Sequence, residues 1–119
     1  MRKIRFRGKS IYNSKWVYGN LRIFGERAYI SAIDSHAQSE VHLSTIGQYT
    51  GLTDRNGKEV YEGDIVRYID ANDEPKTSEV RFVDAAFSPL TEIMWMGDME
   101  CEVIGNIHDN PELLKGGEK

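Results

Sequence analysis

A single cysteine, Cys101, stands in the 119 residues, so no disulfide closes within the chain and no multi-cysteine zinc centre can form. Long apolar runs are missing too, since no stretch approaches the roughly 20 apolar residues of a membrane span. The basic start, MRKIRFRGKS, lacks the apolar run that a secretion signal needs behind it. The expected setting is therefore a reducing cytoplasm, with no membrane attachment. Histidine is scarce, with only His36, His42 and His108, and no HxxxH or HExxH spacing places two of them on one helical face. The phosphate-cradling patterns GxxxxGK[ST] and GxGxxG are absent. No metal and no cofactor is expected.

What the chain does contain is an ordinary globular balance, 39% hydrophobic and 29% charged residues. Its length matches one domain, and a chain of this mass buries about two-thirds of its unfolded surface on folding. Charge is distributed unevenly. Residues 1–27 hold eight basic residues against Glu26, a net of +7, while the remainder holds seven basic and eighteen acidic residues, a net of −11. Such polarity fits an anionic partner, or a basic part lying against the acidic part of the same or a neighbouring chain. The internal explanation is favoured, because screening leaves about 8–10 Å over which the two parts attract.

Period-2 patterning runs through much of the sequence and predicts strands. Ile4 and Phe6 alternate with Lys3, Arg5 and Arg7. After the turn residues of GKSIYNSK, WVYGNLRIF (Trp16 to Phe24) completes a first hairpin, with Gly19 marking a bulge or a close backbone approach. AYISAI (Ala28 to Ile33) is a third strand. Residues 34–45 read as a loop with a short helix or an extra strand. Asn56-Gly57 is a strong turn signal because both residues tolerate positive φ. DIVRY (Asp64 to Tyr68) then sets Ile65 and Arg67 on one face and Val66 and Tyr68 on the other. The polar run 70–78 forms an exposed hairpin tip, and EVRFVD (Glu79 to Asp84) turns Val80 and Phe82 inward. IMWM (Ile93 to Met96) and MECEVIGNI (Met99 to Ile107) form a second hairpin about Gly97-Asp98. Asn110 as N-cap and Pro111 at the first helical position end the chain on one helical turn. The architecture expected is mainly β.

Candidate chemistry is sparse. Cys101 sits between Glu100 and Glu102 in a strand, where a small core residue is the better reading than a nucleophile. Glu62 and Asp64 are spaced like an acid/base pair, but Gly63 between them indicates a structural turn, with Asp64 accepting backbone N–H bonds before the strand begins. Asp70, Asn72, Asp73 and Glu74 offer oxygen ligands, yet Pro75 stands where a calcium loop needs glycine. The N-terminal strand is the best candidate for contact with a partner. Lys3, Arg5 and Arg7 project on one side at intervals of ~6.8 Å, and Tyr12, Trp16 and Tyr18 are aromatics nearby that can stack on bases. The overall pI of 5.4 lies below the usual nucleic-acid-binding profile.

Three blocks carry a resemblance. IRFRGK with KWVYGNL, the central TIGQYTGLTDRNGKEVYEGDIVRY and the closing EVIGNIHDNPELL together resemble the YopX family of phage and prophage proteins, over Ile4 to Leu114. The resemblance implies a small protein of phages and prophages, largely from Gram-positive bacteria. It implies one YopX-like domain over 1–119, with an N-terminal hairpin region (1–44), an SH3-like, partly open barrel (45–110) and a frayed tail (115–119). No catalytic residue is implied. Asn56, Gly57, Tyr61, Gly63 and Asp64 are expected as turn formers and core. The expected function is that of a non-enzymatic accessory protein acting through protein–protein contacts as a homo-oligomer, or with a host or phage protein. The alternative is nucleic-acid binding through Lys3, Arg5, Arg7, Trp16 and Tyr18.

Overall fold

Short antiparallel strands account for nearly all the regular structure, as the period-2 patterning predicts. The computed structural model describes residues 4–32, 37–83, 86–90 and 100–116. Eleven strands lie among these residues: β1 (Phe6–Lys9), β2 (Trp16–Phe24), β3 (Arg27–Ser31), β4 (Gln38–Val41), β5 (Gly47–Thr53), β6 (Glu59–Tyr61), β7 (Asp64–Ile69), β8 (Pro75–Glu79), β9 (Arg81–Val83), β10 (Ala86–Ser88) and β11 (Glu102–Asn106). One short helix, α1 (Glu112–Gly116), follows. Among the described residues no closed barrel forms. The chain divides into two units, Met1–Gly51 and Leu52–Lys119.

In the first unit the strands lie side by side in the order β4-β3-β2-β1-β5. Their inner face carries Ala28, Ile30 and Val41, with Phe6, Val17, Leu21 and Ile46 packed against them. Glycines make this face possible. A Cβ on Gly8 would stand 2.9 Å from Val41, and one on Gly19 would stand 1.9 Å from the Ser31 carbonyl oxygen. Gly19 is therefore a site of close backbone approach between β2 and β3. The polar stretch 34–45 contains β4 and a 3-10 turn at Leu43–Thr45, so both readings of that segment hold for its described part. The edge of β4 is covered, since Ser10 bridges to Val41 and the Ile11 N–H donates to the Glu40 carbonyl at 3.1 Å. Buried Thr45 ties the turn down, accepting from the Lys9 N–H at 2.9 Å and donating to the His42 carbonyl at 2.7 Å. The third strand ends at Ser31, and Ile33 lies outside the described residues.

The second unit has β7 at the centre of a three-stranded sheet, β11-β7-β8, beside the pair β10-β9. Val60, Val66, Tyr68, Val80, Leu90 and Cys101 form its core. In β7 Ile65, Val66 and Tyr68 are buried and Arg67 is exposed, which is compatible with the alternation read in DIVRY. One expectation is corrected here. Phe82 is 55% exposed rather than inward, because Val80 ends the run between β8 and β9 and resets the alternation. Phe82 instead meets Phe87 edge-on, at 4.9 Å between ring centroids. IMWM and its turn at 97–98 lie outside the described residues, whereas MECEVIGNI supplies β11.

Three loops of the second unit are closed by an Asp or Asn side chain that accepts backbone N–H bonds two and more residues on. Asp54 Oδ1 accepts from Asn56 and Lys58 at 2.8 and 2.9 Å. Asp70 Oδ1 accepts from Asn72 and Glu74, both at 2.9 Å. Asn106 Oδ1 accepts from His108 and Asp109 at 3.0 and 2.9 Å. The Asp70 oxygen is thus committed to its own turn, in keeping with a hairpin tip rather than a calcium loop. Asn110 turns backward, accepting from the Asn106 N–H at 3.3 Å, whereas the sequence pointed to a forward N-cap.

The loops at 54–58 and 70–74 share one hydrogen-bond pattern, with Gly57 (φ 83°) and Asp73 (φ 62°) in the same place. A side chain at positive φ is strained where glycine is not. Asp73→Gly is therefore expected to raise stability by roughly 0.5 kcal/mol, after allowing for the extra freedom of the unfolded glycine. Thermal melting followed by circular dichroism should show a rise of about 2 °C.

Candidate functional site

Strand register in the first unit decides which side chains share a surface. Arg7 stands opposite Tyr18 and Lys9 opposite Trp16. Arg22 stands opposite Tyr29 and Phe24 opposite Arg27, while Tyr29 faces Glu40. Residues directly opposite in an antiparallel pair point to the same side. All of these therefore lie on the outer face, away from Ile30 and Val41. The face is built of cations and aromatic rings, and among the described residues of these pairs Glu40 is its one acidic side chain.

Arg22 and Phe24 follow one another on β2, while Tyr29 and Arg27 face them on β3, so cation and ring alternate both along and across the strands. The Arg22 guanidinium carbon lies 5.4 Å from the Phe24 ring centroid. Phe24 meets Tyr29 edge-on at 6.2 Å. Arg27 makes a loose contact with Glu40, Nε to Oε2 at 3.9 Å. Its hydrogen bond with Tyr29, then the Glu40 charge, raise the guanidinium pKa further. Phe24 is 58% exposed and Tyr18 44%.

The residues singled out from sequence do not all meet here. Lys3 lies outside the described residues. Arg5 is half-buried, just ahead of β1, and its carbonyl accepts from the Tyr49 N–H at 2.8 Å. Arg7 is buried, with its guanidinium carbon 4.5 Å from the centroid of the half-buried Trp16 ring. The picture of Arg7 projecting into solvent is corrected, because β1 has neighbours on both sides and Trp16 covers the guanidinium. Lys9 reaches the same ring at 5.6 Å. Of the four candidates among the described residues, Tyr18 stays exposed. The residues missed were Arg22, Phe24 and Arg27, although they share their i, i+2 parity with Trp16 and Tyr18 or face it across the turn.

The other candidates are structural. Asp64 is 2% exposed and accepts from the Tyr61 N–H at 2.7 Å. Gly63, at φ 94°, donates to the Val80 carbonyl and accepts from the Ile107 N–H, each at 2.9 Å. The Glu62–Asp64 segment is thus a strand entry. Tyr61 is buried, and Asn56 and Gly57 form the turn capped by Asp54. Cys101 is buried in the core, where burial and then the Asp54 charge push its thiol pKa up. Among the described residues no three His, Cys, Asp or Glu side chains gather as metal ligands. His36 lies outside the described residues.

Comparison with known proteins gives a family and a fold. The family model described as YopX protein matches residues 5–115. A crystal structure of protein EF1440 from Enterococcus faecalis is similar, with a TM-score of 0.60 and 24% sequence identity over 96% of this chain and 99% of that one. At that identity the likeness bears on fold alone. No curated protein matches closely enough to count as a relative.

Proposed function

Since the chain belongs to the YopX family, we propose that it is a non-enzymatic phage or prophage accessory protein, a single domain over 1–119 in the host cytoplasm, that binds an anionic partner on the outer face of β2 and β3. One observation carries this reading: exposed arginines and exposed rings alternate on that face within a unit of strongly positive charge. Residues 1–51 hold eight basic and three acidic residues, a net of +5, against seven and sixteen, a net of −9, in residues 52–119. Arg, Tyr and Phe are also the residue types enriched where partners bind. We carry the finer fold, an SH3-like partly open barrel over about 45–110, as part of the same reading; the short strands packed around β7 support it.

Retention on heparin, a defined polyanion, tests the reading. The protein is expected to be held at low salt despite its net charge of −4, and to elute as salt screens the contact. Arg22→Glu with Arg27→Glu should flow through. Wild-type protein that is never retained would contradict the assignment.

A second reading is favoured by the +5 and −9 division itself. Opposite charge on two units of one chain suits head-to-tail assembly of copies, a homo-oligomer that loosens as salt rises. Sedimentation at low and high salt tests it, and a monomer at every concentration would contradict it.

A further inference from the structure

We propose that the anionic partner of the β2–β3 face is a single-stranded nucleic acid, with Arg22 and Arg27 at its phosphates and Phe24 and Tyr18 stacked on its bases. The proposal rests on the reading of that face as the working surface and names the class of anion it takes.

Three features of the face select this ligand. Arg22, Phe24, Arg27 and Tyr29 alternate cation and ring at the spacings of a sheet, about 6.8 Å along a strand and about 5 Å across it, and Tyr18 follows on the same face beyond Asn20. A partner must then offer negative charge and flat apolar surface in turn, which is the make-up of a nucleic-acid strand. An acidic polypeptide fits less well, because the face of an aromatic ring carries negative electrostatic potential and repels carboxylates. A base instead lays its own π-face against the ring. Duplex nucleic acid fits poorly too, since its bases are already stacked on one another and leave Phe24 and Tyr18 nothing to cover them.

The electrostatics agree at the range that matters. Whole-chain charge is negative, but screening limits each phosphate to charges within about 8–10 Å. The Arg27 contact with Glu40 is long, at 3.9 Å, and both residues sit on a unit of net +5. A guanidinium has five N–H donors, so a hydrogen bond with Tyr29 and one loose carboxylate leave it able to take a phosphate oxygen.

Fluorescence anisotropy with a labelled oligothymidylate of about 20 nucleotides, set against a blunt duplex of equal length, tests the proposal on the full chain. The single strand is expected to bind at about 50 mM salt and to weaken steeply as salt rises. The duplex should bind at least tenfold more weakly. Arg22→Gln should lower the slope of log affinity on log salt by about 0.7, one phosphate contact on a single strand. Phe24→Ala should weaken binding by roughly fivefold to a hundredfold with the slope unchanged, and Phe24→Trp should retain it. Both positions are exposed, and unchanged circular dichroism spectra would confirm that the variants fold. Absence of binding at the lowest salt, equal binding of the duplex, or wild-type affinity in Phe24→Ala would each overturn the proposal. If heparin retention persists while oligothymidylate fails, the ligand class falls and the working surface stands. If both fail, both readings fall.

Discussion

Gly19→Ala is expected to dismantle the contact between β2 and β3 and to cost roughly 3 kcal/mol or more, the upper range of overpacking effects. The new methyl carbon would sit 1.9 Å from the Ser31 carbonyl oxygen and 3.1 Å from the Ala32 Cα. Both obstacles are backbone, so no rotamer change relieves them. One of the two strands must move, and the Asn20 to Ser31 pairing next to the clash is the first to go. Melting should fall by about 10 °C or more. Asn20→Ala, at an exposed position one residue on, should stay within about 0.5 kcal/mol of wild type. Because Tyr18, Arg22 and Phe24 lie on the strand that moves, Gly19→Ala should also lose heparin retention while the Asn20 variant keeps it. Equal melting of the two variants would refute the close approach.

Asp54→Ala is expected to have the largest effect in the second unit, about 3 kcal/mol. The carboxylate is 6% exposed and accepts three backbone N–H bonds, from Asn56, Lys58 and, at 2.9 Å, from Val103 at the start of β11. Hydrogen bonds to a charged group are worth about 1.5–3 kcal/mol each in net stability, and removing the acceptor strands donors that water reaches poorly. Asp54→Asn should be only partly tolerated, since an amide has one acceptor oxygen for two sides of the turn.

The same carboxylate makes stability depend on pH. Burial alone pushes its pKa up, but the N–H bonds from Val103, Lys58 and Asn56, with the Lys58 charge, outweigh burial and hold it below the ordinary value. A carboxyl whose folded pKa is depressed stabilises the fold above the unfolded pKa. Its contribution is complete above about pH 4 and is lost as pH falls through the lower, folded value. Urea unfolding should therefore lose stability below about pH 4 in the wild type, and lose less in Asp54→Ala.

Much of this was legible in the sequence, and the exceptions have physical causes. Gly57 and Gly63 announced their turns because positive φ, 83° and 94° here, selects glycine. Gly19 amid WVYGNLRIF announced a bulge or a close backbone approach, and the structure shows the close approach. Phe82 was misplaced because Val80, between β8 and β9, bonds through its backbone to the strand entry at Gly63 and Asp64, and period-2 patterns carry no warning of such a shift. Arg7 reads as solvent-facing by residue type, yet a guanidinium stacks readily on an indole and its stem buries with it. The working face itself could not be assigned from β2 alone. Trp16, Tyr18 and Phe24 form one apolar parity and Val17, Leu21 and Ile23 the other, so either could have been the core side. Only the register with β3, which sets Ile30 against Leu21, decides between them.

If the outer face of β2 and β3 is where this protein meets its partner, amide chemical shifts recorded during titration with a single-stranded oligothymidylate will locate the contact as well as detect it. The shifts are expected to concentrate at residues 16–31, with Tyr18, Arg22, Phe24 and Arg27 among the most affected. Shifts confined to residues 52–116, or a spectrum that does not change at low salt, would contradict that reading.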